Sequence, residues 1–425
     1  MDGAFVLGEH VFGASGERRQ FSHPDPDRSG RDDPRDFANG RRQRRPQHKG
    51  FYSKARPRLA LSEKNVLKIN DELGFHPNLT GFKSLYDTGQ LSIIQGIGYP
   101  NPNRSHFRST EIWQTASDAS KVEKYGWLGR YFDNTCSGCD PTIGVNIGRQ
   151  MPQAFASKKP VGVSLDNPQN YRFIDTDRPG DGQMAMSEKS YRKLNQPDMD
   201  SNSGDTIGAV AGAPRPVGSV LDFLERTALD AQMSSDKIRE ISNKVENKAT
   251  YPVSQLANSL KLVARLIGGG LPTRIFYVSQ GGYDTHTNQI GAQDRLLRDL
   301  GDSVAAFIDD MKAQGNLPRV LVMTFSEFGR RLAENANGGT DHGAASVMFV
   351  AGGKVKAGLL GKSPSLAPDD LLNGDPKFTA DFPWAAGSHR LFRYKRSELS
   401  AGDFPPHFGQ PQHKSSIFMW TGLSH

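Results

Sequence analysis

A unit of apolar strand, polar loop and helix recurs in the second half of this 425-residue chain. The apolar run 274–278 leads into a loop rich in glycine, acid and histidine, and residues 296–311 then place apolar side chains at helical spacing. A second apolar run, 320–324, follows directly. A strand, a crossover helix and a second strand in this order predict parallel pairing. The chain is therefore expected to adopt an α/β fold.

Acidic and histidine residues follow both of these predicted strands. Asp284 and His286 come after the first strand, Glu327 comes after the second, and Asp341 and His342 follow shortly afterwards. In an open α/β sheet, ligands collect outside the carboxyl ends of the strands, so these side chains should converge on one rim. Converging carboxylate and imidazole groups indicate a divalent-metal site.

Each of these side chains also has an ordinary structural explanation. Asp284 and His286 could form a hydrogen-bonded pair within a loop, and Glu327 could pair with a neighbouring arginine. Asp341 could cap a turn between two glycines. The presence of all three at strand ends favours a shared metal or anion site.

A second candidate site follows an earlier predicted strand, Leu91–Gly98. Proline and asparagine in residues 99–103 predict a turn, and residues 107–116 then predict a helix. Ser105 or Ser109 near the helix start would feel the positive end of the helix dipole. Such a hydroxyl could attack a phosphate or sulfate ester, or it could simply cap the helix.

Arginines near both candidate sites could bind an anion. Arg104, Arg108 and Arg330 are predicted to clamp a phosphate or sulfate group, since a guanidinium can donate two parallel hydrogen bonds. For any one of them, an ordinary surface arginine is the alternative. The net charge of +7 is spread among interspersed acids, so no nucleic-acid partner is expected. No run of about eighteen apolar residues occurs, so no membrane span is expected either.

Composition divides the chain into three parts. Residues 1–50 contain a stretch rich in arginine, aspartate, proline and glycine with almost no apolar periodicity, which predicts disorder. Residues 51–382 have the apolar patterning of a folded domain, interrupted by an irregular insertion at 164–214 and followed by helices near 217–229 and 255–267. Residues 383–425 are expected to form an irregular tail.

Three separated stretches, residues 96–116, 260–289 and 326–343, together carry a family resemblance. In this order they resemble the bacterial domain-of-unknown-function family 1501, which is grouped with the alkaline phosphatase and sulfatase superfamily. The resemblance runs from about residue 51 to 382, so neither end looks family-like. It implies an alkaline-phosphatase-like fold with a mostly parallel central sheet between helices, two metal ions, and a serine or threonine nucleophile at a helix start.

The resemblance also implies roles for individual residues. Asp284 and His286 match the acid and histidine after one central strand, Glu327 stands where an Asp-His pair follows the next strand, and His342 lies near a later histidine. Phe328 stands where the second histidine of that pair is expected. A site with more oxygen than nitrogen ligands would favour Mg, Mn or Ca over Zn. Such ions would neutralise the ester oxyanion and activate the nucleophile.

The sequence therefore predicts a metal-dependent hydrolase that acts on phosphate or sulfate esters of an anionic small molecule or polysaccharide. The alternative is a non-catalytic binding or surface-assembly protein on the same scaffold. The predicted catalytic residues are Ser105, His106 and Arg104, the substrate-binding residues are Arg108 and Arg330, and the metal ligands are Asp284, His286, Glu327, Asp341 and His342. The sequence leaves the oligomeric state open.

The resemblance further implies export to the periplasm, often through a twin-arginine signal. The paired arginines within residues 1–50 are not followed by the apolar stretch that such a signal needs. Family members are also expected to have an early strand that ends in a Gly-Gly-Asn-Asp type motif, whose aspartate would bind metal. Residues 1–50 contain no such motif, so weak or absent activity is expected.

Overall fold

The computed structural model describes residues 48–135, 139–159, 161–170, 234–381 and 415–421. Its helices are α1 (His48–Ala55), α2 (Thr80–Asp87), α3 (His106–Thr115), α4 (Trp127–Thr135), α5 (234–244), α6 (Gln255–Gly268) and α7 (Gln289–Ala313). Its strands are β1 (Leu67–Lys68), β2 (Gly74–Phe75), β3 (Leu91–Gly98), β4 (Gly144–Ile147), β5 (Val163–Leu165), β6 (Ile275–Gln280), β7 (Val320–Phe325), β8 (Gly329–Glu334), β9 (Thr340–Gly343), β10 (Ser346–Gly352), β11 (Gly358–Leu360), β12 (Ala380–Asp381) and β13 (Ser415–Thr421).

A nine-stranded mixed sheet organises the described residues. Its strand order is β11-β3-β10-β7-β13-β6-β4-β5, and β12 also pairs with β3. Strands β3, β4, β5, β6, β7, β11 and β12 share one direction, whereas β10 and β13 run antiparallel to their neighbours. The predicted α/β class is confirmed, and the sheet is partly parallel.

Strand β13 separates the two strands that the sequence predicts to pair. Strands β6 and β7 do run in the same direction, but β13 hydrogen-bonds to both of them. Ile417 is paired with Val278 on one side and with Thr324 on the other. The predicted irregular tail therefore contains a strand, in keeping with the high β propensity of the segment Ser-Ser-Ile-Phe-Met-Trp-Thr.

Several other predictions fall outside the described residues. They include the disorder of residues 1–47, most of the insertion at 164–214 and the helix near 217–229. Helix α1 starts at His48, just before the predicted end of the first region. Elsewhere the predicted elements agree with the structure, including the buried strand β3 and the long helix between β6 and β7.

Apolar side chains cover both faces of the sheet. Neighbouring residues Ile93 and Ile94 on β3 belong to two different apolar clusters, as strand geometry requires. One cluster contains residues of α2, α6 and α7, and the other contains residues of α3 and α4. The sheet thus lies between two helical layers. Each large apolar side chain buried there contributes about 1.5–3 kcal/mol to the free energy of unfolding.

Helix α7 is held close to α2 by two glycines. A Cβ atom on Gly81 would lie 2.2 Å from the carbonyl oxygen of Gly301, so neither helix could approach this closely with a larger residue at Gly81. This contact fixes the position of α7, whose first residues adjoin the β6 loop. Among the described residues, no helix combines the length and apolar character needed to cross a bilayer.

Candidate metal centre

Loops at the carboxyl ends of three strands meet at one rim of the sheet. The loop after β3 leads to His106 at the start of α3, the loop after β6 carries Asp284, and Glu327 follows β7. Because β3, β6 and β7 run in the same direction, their carboxyl ends lie at the same edge. The β8–β9 hairpin adds His342 to this rim.

Asp284 lies at the centre of the cluster, and its two carboxylate oxygens face different histidines. Oδ1 lies 3.0 Å from His286 Nε2 and 3.0 Å from His342 Nε2. Oδ2 lies 3.1 Å from His106 Nε2. The Nε2 atoms of His286 and His342 are themselves 2.9 Å apart. Three imidazole rings thus present the same ring nitrogen to one carboxylate.

The opposite nitrogen of each ring, Nδ1, faces an oxygen of the protein. Histidines that bind a metal through Nε2 usually have such an acceptor at Nδ1, which holds a proton and orients the ring. The three pairs are His106 Nδ1 with Glu327 Oε1 at 2.9 Å, His286 Nδ1 with Asp341 Oδ1 at 3.1 Å, and His342 Nδ1 with the carbonyl oxygen of Arg104 at 2.8 Å.

Glu327 and Asp341 therefore lie behind the imidazole rings, and Asp284 lies in front of them. Glu327 is buried, and its second oxygen accepts a hydrogen bond from Ser326 at 3.1 Å. Asp341 accepts another from Asn335 at 3.1 Å. The arrangement makes both carboxylates supports of histidine rings, and their predicted role as direct metal ligands stays a prediction.

Charges around Asp284 shift the protonation of the cluster. Hydrogen bonds to Asp284 and Glu327 raise the pKa of His106 to about 9. Burial raises the pKa of Asp284, but hydrogen bonds from His106, His342 and Arg330 outweigh that effect and hold its pKa well below the usual range. Both carboxylates thus favour the protonated form of His106.

Arg330 is fully buried and gives its hydrogen bonds to the protein. Its Nη2 donates to Asp284 Oδ1 at 2.7 Å and to the carbonyl oxygen of Tyr283 at 3.3 Å. Its Nη1 donates to the carbonyl oxygen of Thr340 at 2.8 Å. Burial lowers the pKa of Arg330, and the charge of Asp284 opposes this. The structure thus places Arg330 behind Asp284, where it orients the carboxylate. Its predicted contact with substrate stays a prediction.

The other two arginines also have protein partners. Arg108 pairs with Glu111 at 2.7 Å and donates to the carbonyl oxygen of Ala119 at 3.0 Å, which ties α3 to the loop that follows it. The side chain of Arg104 pairs with the buried Asp375. Both guanidinium groups are thus engaged by groups of the protein, and their predicted contacts with an anion stay predictions.

The structure distinguishes the two candidate serines. Ser109 is buried, and its hydroxyl bonds to the hydroxyl of Tyr99 at 2.6 Å and to the carbonyl oxygen of Glu327. Ser105 is exposed and occupies the N-cap of α3 without a side-chain capping bond. Ser105 lies directly before His106, and its predicted role as a nucleophile stays a prediction.

Local packing explains why the hairpin reaches the cluster. A Cβ atom on Gly339 would lie 2.2 Å from the carbonyl carbon of His286, so only glycine lets this turn pass so close. Phe328 is buried against two of the rings, with centroid distances of 4.2 Å to His342 and 4.9 Å to His106. Phe328 thus supports the imidazole rings through apolar contact.

Three further residues support the site, and no motif in the sequence assigns them this role. Asn335 donates to Asp341, Phe328 packs on the rings, and Asp375 holds Arg104. An asparagine before the Gly338-Gly339 turn was a local signal for the first. The role of Asp375 depends on a long-range contact, so the sequence offered no local signal for it.

The cluster has the composition of a transition-metal site. One ligand atom each from His106, Asp284 and His342 lie within 4.8 Å of one another, and His286 Nε2 is adjacent to two of these residues. Three imidazoles and one carboxylate favour Zn or another late transition metal over Mg or Ca. This donor set contains more nitrogen than the set expected from the sequence.

The chain belongs to the family described as Protein of unknown function (DUF1501), whose match covers residues 23–374. The match starts before residue 51, where the resemblance was expected to begin, and ends shortly before residue 382. No curated protein and no solved structure matches the chain. The family description names no activity, so the geometry of the site is the basis for a functional proposal.

Proposed function

We propose that this protein is a metal-dependent hydrolase of phosphate or sulfate esters. One observation supports this proposal most strongly. The Nε2 atoms of His106, His286 and His342 converge on Asp284, while the Nδ1 atom of each ring faces an oxygen acceptor. Three rings that turn Nε2 toward a common carboxylate and Nδ1 toward other oxygens of the protein are typical of metal ligands.

The distances in the cluster fit a cation. Two ligand atoms that lie about 2.1 Å from one ion are roughly 3 Å apart when they subtend a right angle at it and roughly 3.4 Å apart at the tetrahedral angle. The separations among His286 Nε2, His342 Nε2 and Asp284 Oδ1 are 2.9–3.0 Å. If both rings carry their protons on Nδ1, two lone pairs face each other at this distance. A positive ion between them would remove that repulsion.

Each residue has a defined part in this proposal. His106, His286, His342 and Asp284 would bind the ion, and the oxygens behind the rings would hold them in place. Metal binding requires neutral imidazole, so His106 would give up its proton on binding. A bound divalent ion would polarise an ester oxygen and lower the pKa of the attacking group.

Ser105 would supply the nucleophile. It is exposed at the start of a ten-residue helix, where backbone N–H groups and the helix dipole favour an anion. Its oxygen would form a bond to phosphorus or sulfur while the bond to the leaving alcohol breaks. Water would then release the serine, and the superfamily resemblance supports this reaction class.

Metal content is the first test. Elemental mass spectrometry after dialysis should find near-stoichiometric metal in the wild-type protein and much less in His286→Ala. His76→Ala is the matched control, because His76 is also paired with an aspartate, Asp294, at 3.3 Å. The control should retain metal. No metal in the wild-type protein would refute the proposal at its first step.

Turnover is the second test. Aryl phosphate and aryl sulfate esters should be hydrolysed by the wild-type protein, and Ser105→Ala should lose turnover while it retains metal. Ser120→Ala, an exposed serine in the loop after α3, is the control and should stay active. Stoichiometric metal without turnover of either ester would refute the hydrolase proposal and favour a non-catalytic binding protein.

A further inference from the structure

Asp375, which lies outside the proposed ligand set, is a buried acid held between two arginines. Its side chain is 2% exposed, and its two oxygens accept hydrogen bonds from Arg104 Nη2 and, at 3.2 Å, from Arg331 Nε. A carboxylate can be buried this deeply only when cations and hydrogen bonds replace the lost water. The three side chains therefore fix one another in place.

The backbone around Asp375 is fixed as well. Leu372 and Asp375 exchange backbone hydrogen bonds of 2.9 and 3.0 Å, and Asn373 and Gly374 between them have φ angles of 54° and 84°. This is the geometry of a tight Asn-Gly turn. Arg331 Nη2 donates to the carbonyl oxygen of Asn373 at 2.5 Å, which attaches the turn to β8.

Arg104 connects this turn to the metal site. Its guanidinium is bound by Asp375, and its backbone carbonyl accepts the hydrogen bond from His342 Nδ1 at 2.8 Å. The position of that carbonyl thus depends on the anchored side chain of the same residue. Without the anchor, Arg104 would be an exposed loop residue with freedom to turn its carbonyl away.

We propose that Asp375 is a positioning residue that acts through Arg104 to fix the orientation of the His342 ring. In that orientation His342 Nε2 lies 3.0 Å from Asp284 Oδ1. The consequence for metal binding rests on the proposed function, whereas the effect on His342 also exists in the metal-free protein. Arg104 thus links Asp375 to His342 within the protein, and its predicted role in anion binding stays a prediction.

The orientation of the His342 ring gives a test that needs no metal. Proton NMR of the metal-free protein should show the His342 ring in contact with the ring of Phe328, whose centroid lies 4.2 Å away. His342→Gln identifies the signals. Asp375→Asn should weaken these contacts, and so should Arg104→Ala, in which Asp375 keeps Arg331 as its partner. Unchanged His342 signals in both variants would overturn the proposal.

Zinc titration tests the consequence. Asp375→Asn should bind Zn²⁺ about 10- to 100-fold more weakly than the wild-type protein, as is typical when the partner behind a ligand is lost. Asp310→Asn is the matched control, since Asp310 is a fully buried acid that accepts hydrogen bonds from Tyr251 at 3.0 Å and Gln314 at 2.9 Å. Folded Asp310→Asn should bind Zn²⁺ like the wild-type protein.

The two proposals fail in different ways. Absence of Zn²⁺ binding in the wild-type protein, combined with weaker contacts of the His342 ring in Asp375→Asn, would refute only the metal site. Tight Zn²⁺ binding in the wild-type protein, with the same affinity and the same His342 signals in Asp375→Asn and Arg104→Ala, would refute only the positioning role of Asp375.

Discussion

Arg330→Met tests whether the guanidinium holds Asp284 or remains available to substrate. The side chain of Arg330 is 0% exposed, and its partner Asp284 is 18% exposed. Removal of one member of a buried ion pair costs about 3–5 kcal/mol of unfolding free energy. Because Asp284 retains some contact with water, we expect a loss near the lower limit, about 3 kcal/mol.

Two backbone carbonyl groups would add to this loss of unfolding free energy. The carbonyl oxygens of Tyr283 and Thr340 accept hydrogen bonds from Arg330 and would lose them. Arg330→Lys keeps the charge but cannot reach three acceptors with one ammonium group, so its stability should lie between those of wild type and Arg330→Met.

Urea unfolding in the presence of EDTA measures this effect without a contribution from bound metal. Arg149→Met is the control, because Arg149 also pairs with an acid, Asp166, at 2.9 Å, but its side chain is 85% exposed. A surface pair of this kind contributes little. If Arg330→Met is as stable as Arg149→Met, the buried ion pair does not hold Asp284 and the reasoning is refuted.

Three further predictions concern the metal site and the sheet. Asp341→Asn should weaken Zn²⁺ binding about 10-fold or more, because His286 Nδ1 loses a charged acceptor; equal affinity by calorimetry would contradict this. Zn²⁺ affinity should rise with pH up to about 9, since His106 holds a proton below that pKa and must release it; a flat calorimetric profile across neutral pH would count against His106 as a ligand. Deletion of residues 415–425 should strongly lower the urea midpoint, because β6 and β7 would lose their shared partner; an unchanged midpoint would show that β13 does not stabilise the sheet.

The elements that the sequence predicts well are those with a local pattern. Strand β3 is an uninterrupted buried run, and α7 shows apolar side chains at helical spacing along most of its length. Asp284 and His286 could be recognised as site residues because they directly follow a predicted strand. Their chemistry and their place at a strand end are both properties of a few consecutive residues.

The pairing within the site could not be predicted in this way. His342 finds its Nδ1 acceptor 238 residues away, at Arg104, and His106 finds its own 221 residues away, at Glu327. These contacts depend on the order of strands in the sheet. Local periodicity does not specify that order, as the insertion of β13 between β6 and β7 also shows.

The sequence by itself determined the α/β class, the strands that form the rim and the residue types available there. The tertiary structure alone decided which side chains face Asp284 and which stand behind the rings. It placed Glu327 and Asp341 behind imidazole rings, Arg330 behind Asp284, and His106 in the cluster. The reason is physical: local patterns fix backbone conformation, whereas the direction of a hydrogen bond depends on where a distant partner is placed by packing.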